Sequence, residues 1–138
     1  MESITLKEIA GYLPYQLEVM ITESTSKGEI HKLSGINYDG LVSLGGGGRF
    51  GFIQRGFNQF KPLLYPLSML TQQIEHNGEK FIMAKEHRYL RFEEISNYKG
   101  GSRTLDFIQS REKDLLMEFN FDFYGLIERG LAIDKSKI

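Results

Sequence analysis

The sequence predicts an α+β fold in which a small twisted antiparallel sheet of four to five strands is packed by a short middle helix and a long C-terminal helix. Two patterns carry that expectation. From Leu17 to Gln54, short runs alternate apolar and polar residues between turn residues, which is the signature of half-buried strands. From Arg103 to Arg129, Leu105, Ile108, Leu115, Leu116, Phe119, Phe123, Leu126 and Ile127 recur close to the helical period of about 3.6 residues. A chain of 138 residues suits one domain, 1–138, able to bury about two-thirds of its unfolded surface without staples. With 41% hydrophobic and 25% charged residues it lies in the globular range, far from the composition of disordered chains.

The elements follow in order. Leu6, Ile9 and Ala10 sit at helical spacing before Gly11, so Thr5 to Gly11 reads as a short helix capped by Thr5. After Pro14, Leu17, Val19 and Ile21 alternate with Glu18, Met20 and Thr22 as a first strand. Ser24 to Gly28 is a turn, and Glu29 to Ile36 pairs back as a second strand. Asn37 to Gly40 turns again, because Asp39-Gly40 tolerates positive φ. Leu41 to Leu44 and Arg49 to Gln54 read as third and fourth strands joined by Gly45 to Gly48. Lys61 to Tyr65 extends the sheet, provided that Pro62, which donates no ladder hydrogen bond, lies at an edge or a strand start.

Leu67, Leu70 and Ile74 are spaced i, i+3, i+7 behind Pro66, and Asn77-Gly78 offers a left-handed stop, so Pro66 to His76 reads as a helix. Phe81 to Met83 begins a short strand. Ala84 to Gly101 has no assignable period. Arg103 to Arg129 is mostly helix, broken near Asn120 and ended by Gly130, and the tail from Asp134 to Ile138 is expected to fray.

Several classes of function are disfavoured. The absence of cysteine removes disulfides, thiolate metal sites and thiol catalysis. Met1 to Ala10 lacks the basic start and apolar run of a signal peptide, and no spanning apolar run occurs, so a soluble cytoplasmic protein with no membrane partner is expected. His31, His76 and His87, the only histidines, have no metal-ligand spacing, so no metal or cofactor is expected. Glu93 and Glu94 are adjacent and diverge, which prevents them from acting as an acid/base pair across a substrate. Ser34, Ser43, Ser68 and Thr71 lack the context of an activated nucleophile.

The distinctive stretch is Gly40 to Thr71, which contains no acidic residue in a chain of net charge -1. It carries Arg49, Arg55 and Lys61 among Phe50, Phe52, Phe57, Phe60 and Tyr65, so one surface is expected to be locally cationic and aromatic. Phe50 and Phe52 share a strand face and are assigned to the core. Phe57 and Phe60, on the loop side, are expected to be accessible. Arg49, Arg55, Phe57, Phe60 and Lys61 are therefore the candidate partner-binding residues, since exposed aromatics beside arginine are enriched in interface hot spots.

The leading reading is a non-enzymatic protein-binding module, with self-association through the same surface or an open sheet edge as a further use. The runner-up is a single-stranded nucleic-acid binder that stacks bases on these rings, although the near-neutral charge weighs against it. A third reading is a small enzyme acting on a nucleotide or phosphate compound, in which the four glycines would present N–H groups to phosphate. No Lys-Ser/Thr pair or helix follows them, and a flexible hairpin tip is the plainer reading.

Three segments carry a resemblance: Leu6-Lys7-Glu8-Ile9-Ala10-Gly11-Tyr12-Leu13-Pro14-Tyr15; Lys61-Pro62-Leu63-Leu64-Tyr65-Pro66-Leu67-Ser68, continuing through Ile74 to Phe81; and Phe121 to Asp134. Together they cover about a third of the chain. The pattern resembles small proteins encoded by bacteriophages and mobile elements of the Bacteroides group. Tyr65 stands where that pattern has a basic residue, and Met69 where it has an acidic one. The resemblance implies scaffold rather than catalytic residues, a host-cell cytoplasm, and a host or phage protein as partner. The hairpin from Gly40 to Gln59 lies outside it.

Overall fold

The computed structural model describes residues 4–15, 17–22, 28–36, 41–44, 53–56, 59–99 and 108–138. Its strands are β1 (Glu18–Ile21), β2 (Ile30–Ile36), β3 (Leu41–Leu44), β4 (Ile53–Gly56), β5 (Phe60–Leu64), β6 (Gln73–His76), β7 (Glu79–Ile82) and β8 (Ile133–Asp134). The helices are short: α1 (Leu6–Ala10), α2 (Met83–Glu86), α3 (Phe92–Ile95) and α4 (Ser110–Glu118). β1 to β4 form an antiparallel meander, and β5 and then β8 extend the sheet on the β1 side, giving the order β4-β3-β2-β1-β5-β8. β6 and β7 form a separate hairpin. The mixed α and β content agrees with the sequence. The sheet is longer than expected and not wholly antiparallel, because β8 runs parallel to β5.

Local signals account for the N-terminal half. Thr5 Oγ1 accepts from the Glu8 amide at 3.4 Å, and the Glu8 carboxylate accepts from the Thr5 amide at 3.0 Å, forming a capping box at α1. Val19 and Ile21 are buried while Glu18 and Met20 are partly exposed. Gly28, at φ 93°, closes the β1–β2 turn. Pro62 is not at an edge, since β5 lies between β1 and β8. Thr22 N–H donates to the Gln59 carbonyl at 3.0 Å. Alternation along the antiparallel pair then turns the Pro62 nitrogen away from β1, and β8 pairs only with Leu63 and Leu64. A missing donor therefore costs no rung between β1 and β5.

The middle and C-terminal helices are corrected. Leu67–Thr71 is a 3-10 turn that begins after Pro66, and the chain then leaves helix to form β6. Asn77 (φ 53°) and Gly78 (φ 85°) both adopt positive φ, so Asn-Gly is a two-residue hairpin turn and not a helix stop. Ile74 is buried between exposed Gln73 and Glu75, the strand alternation. α4 spans only nine residues. Ile108 and Gln109 are non-helical, the start of the expected helix lies outside the described residues, and Asn120 at φ 62° ends the helix. Beyond it, Phe121, Phe123 and Leu126 are buried in turns rather than along a helix face. The expected frayed tail instead forms β8 and a 3-10 turn, with Lys135 bound to Glu18 at 3.3 Å.

One core joins these parts. Val19, Ile21, Phe60 and Leu64 from the sheet pack with Ile9 and Tyr12, with Leu67, Leu70 and Ile74, and with Leu116, Phe121, Phe123 and Leu126. The segments that carried the resemblance meet within it. Tyr12 hydrogen-bonds to the backbone of Phe121 and Phe123, and Tyr65 bridges to Phe121, with ring centroids 5.7 Å apart.

Candidate functional site

The structure divides the sequence-predicted site. Arg49, Phe57 and the Gly45–Gly48 tip lie outside the described residues, as do Phe50 and Phe52. Arg55 lies on β4, opposite Val42 of β3. Phe60, expected to be accessible, is only 2% exposed. Its Cα faces Ile21 across the β1–β5 ladder, so strand alternation sends the ring to the core face with Val19 and Ile21. Lys61 is the next residue and takes the opposite, part-exposed face. Arg55 and Lys61 are four steps apart in the strand order β4-β3-β2-β1-β5, roughly 19 Å along the sheet. The acid-free stretch thus supplies β3 and β4 at one end of the sheet and β5 beyond β2 and β1, not one continuous patch.

A second feature was not singled out from the sequence. A cleft of about 430 Å³ opens between the Leu13–Tyr15 turn, the β6–β7 hairpin and the end of α4. Phe119 is its aromatic centre. His76 and Phe81 approach that ring edge to face, at 4.9 Å and 5.3 Å between centroids. His87 lies 6.5 Å from the same ring, and its Nδ1 is buried without a hydrogen-bond partner among the described residues. Burial, then the nearby Lys135 charge, lowers the His76 pKa against the pull of Glu118 and Glu18, which favours neutral imidazole at neutral pH. Glu79 and Glu118 line the cleft, and Lys80 lines the smaller cavity beside it. The Asn77-Gly78 dipeptide was the one available sequence signal, because an Asn-Gly turn flanked by strands would have brought His76 and Glu79 face to face.

A third cavity, of about 520 Å³, lies between the Leu67–Thr71 turn, the end of α3 and the 122–128 turns. Asp122 reaches it but is committed to the fold. Its carboxylate oxygens accept from the amides of Leu126 at 2.7 Å and Ile127 at 3.0 Å. Burial raises its pKa despite those bonds.

Glu112 is similarly committed. One oxygen accepts from the Arg91 amide at 3.0 Å and Nε at 3.3 Å, the other from Arg91 Nη2 at 2.8 Å and the Gln109 amide at 3.0 Å. Among the described residues no group of three or more His, Cys, Asp or Glu side chains is placed to hold a metal ion, and no helix is long and apolar enough to cross a membrane.

Comparisons with protein families, curated proteins and solved structures found no match to the chain.

Proposed function

We propose that the chain is a non-enzymatic binding module of phage or mobile-element type that engages a host or phage protein along the β3–β4 hairpin. One observation carries this reading: Arg55 lies on β4, the terminal strand of the sheet, which has a ladder partner on one side only among the described residues. The outward N–H and C=O groups of such a strand are a template for an extended segment of another chain. Arg49 and Arg55, within a stretch that has no acid, favour an acidic segment as that partner. The burial of Phe60 and the distance to Lys61 reduce the contact set to Arg49, Arg55 and Phe57.

The test compares proteins captured by the native chain with those captured by an Arg49→Glu, Arg55→Glu, Phe57→Ala variant, followed by titration of each purified partner. A selective loss, with affinity falling at least tenfold, is expected. An unchanged partner list sinks the edge assignment. Retention of the chain itself, read by sedimentation, would make the edge a self-association site. Binding of a single-stranded oligonucleotide that weakens by decades between roughly 50 and 200 mM salt would replace the protein partner with nucleic acid.

A further inference from the structure

We propose that the cleft beside Phe119 recognises an organic cation, the guanidinium or ammonium group of an arginine or lysine side chain presented by a partner polypeptide. Three observations converge on this chemistry. Four of the eight lining residues are aromatic, Tyr15, His76, Phe81 and Phe119, within a lining that presents more polar than apolar surface, and the packing of His76 and Phe81 on Phe119 holds those three rings in place. Among the described residues, the charged groups in the lining are the carboxylates Glu79 and Glu118, and no lysine or arginine lines this cleft. Neither carboxylate makes an ion pair among the described residues. Aromatic rings beside carboxylates that have no ion-pair partner among the described residues favour a cation that can be both packed on a ring and neutralised.

Beside the cleft, near enough for its charge to act on His76, the molecule fills the same arrangement with its own side chain. Lys135 Nζ lies 5.3 Å from the centroid of the Tyr65 ring and 3.3 Å from the Glu18 carboxylate, so ammonium, ring and carboxylate are combined within one chain. The cleft beside Phe119 has the ring and carboxylate halves, and among the described residues no lysine or arginine completes it. Glu118 is also the last residue of α4, where the helix dipole disfavours negative charge, so its presence there does not serve the helix. A volume of about 430 Å³ accommodates a guanidinium with part of its stem and neighbouring backbone.

The experiment titrates the full ¹⁵N-labelled chain with a short acetylated peptide amide containing one arginine. It is run beside the lysine version, the neutral citrulline isostere and free argininamide. Binding of the arginine or lysine peptide is expected, with amide shifts at Glu79, Phe81 and Phe119. The Glu79→Gln, Glu118→Gln chain is expected to bind at least tenfold more weakly. Glu79 and Glu118 are exposed, so the variant should keep its melting temperature. A Glu93→Gln, Glu94→Gln chain has the same change in net charge away from the cleft and should bind as the native chain does.

Equal binding of the citrulline peptide, equal weakening in the Glu93/Glu94 variant, or no binding of any cationic peptide overturns the proposal. Binding of argininamide alone, without the peptides, overturns the polypeptide source. The site shares no residue with β3 or β4, so an Arg55→Glu chain should bind the peptide normally, and failure here is separable from failure of the edge assignment.

Discussion

The Tyr12 hydroxyl donates to the Phe121 carbonyl at 2.5 Å and accepts from the Phe123 amide at 3.2 Å, fastening the end of α1 to the turns that follow α4. All three residues are buried. Burial drives the phenol's pKa far upward, so it remains a neutral donor throughout the ordinary pH range. Tyr12→Phe keeps the ring but leaves a buried carbonyl and a buried amide without this partner. The expected loss is about 1–3 kcal/mol. Urea denaturation checks it, and an unchanged midpoint would show that the bond contributes nothing net.

The Arg91–Glu112 pair predicts an acid-sensitive component of stability. Burial alone would raise the Glu112 pKa, but the bonds from Arg91 and the Gln109 and Arg91 amides outweigh it and hold it below the usual carboxylate range. A carboxyl group whose folded pKa is depressed stabilises the fold above its unfolded pKa and loses that contribution as pH falls through the folded value. Glu112→Gln should therefore flatten the decline in stability below about pH 4.5. Arg91→Met, which leaves Glu112 buried and unpaired, should cost less than the about 3–5 kcal/mol of a fully buried pair, because the Arg91 side chain is 35% exposed. Denaturation at several pH values tests both.

His76 predicts a second pH dependence with a different window. Its folded pKa is depressed chiefly by burial, then by Lys135, with Glu118 and Glu18 acting in the opposite direction. The unfolded chain therefore binds the proton more readily, and stability falls as pH drops below the ordinary histidine value of about 6.5. His76→Gln should remove that component, which is lost from the native chain as pH falls below the ordinary histidine value. Identical pH profiles for the native and variant chains would count against it.

Gly78→Ala tests the β6–β7 turn. Gly78 sits at φ 85° with no atom within 4 Å of an added Cβ, so the cost is backbone strain rather than a clash, about 1–2 kcal/mol. The hairpin also positions His76, Glu79 and Phe81 beside Phe119. The same substitution should weaken binding of the arginine peptide as well as lower the melting temperature. Loss of stability with undiminished binding would separate the turn from the cleft.

What the sequence determined by itself was local. Thr5 and Glu8 are three residues apart and settle α1 between themselves, and the alternation around Val19 and Ile21 is readable because each strand residue's face depends on its immediate neighbours. Tertiary structure decided the rest. Leu67, Leu70 and Ile74 are buried equally well by a helix or by a 3-10 turn followed by a strand, and pairing with β7 selected the second. The apolar residues after Asn120 mimic a helical stripe, yet contacts from Tyr12 and Tyr65 and the Asp122 carboxylate hold them in turns. Phe60, expected to be exposed, is buried while Lys61 takes the part-exposed face, because register with Ile21 assigns their faces. The cleft beside Phe119 draws its walls from three separate elements. Composition and spacing describe neighbours along the chain, and only folding brings those walls together.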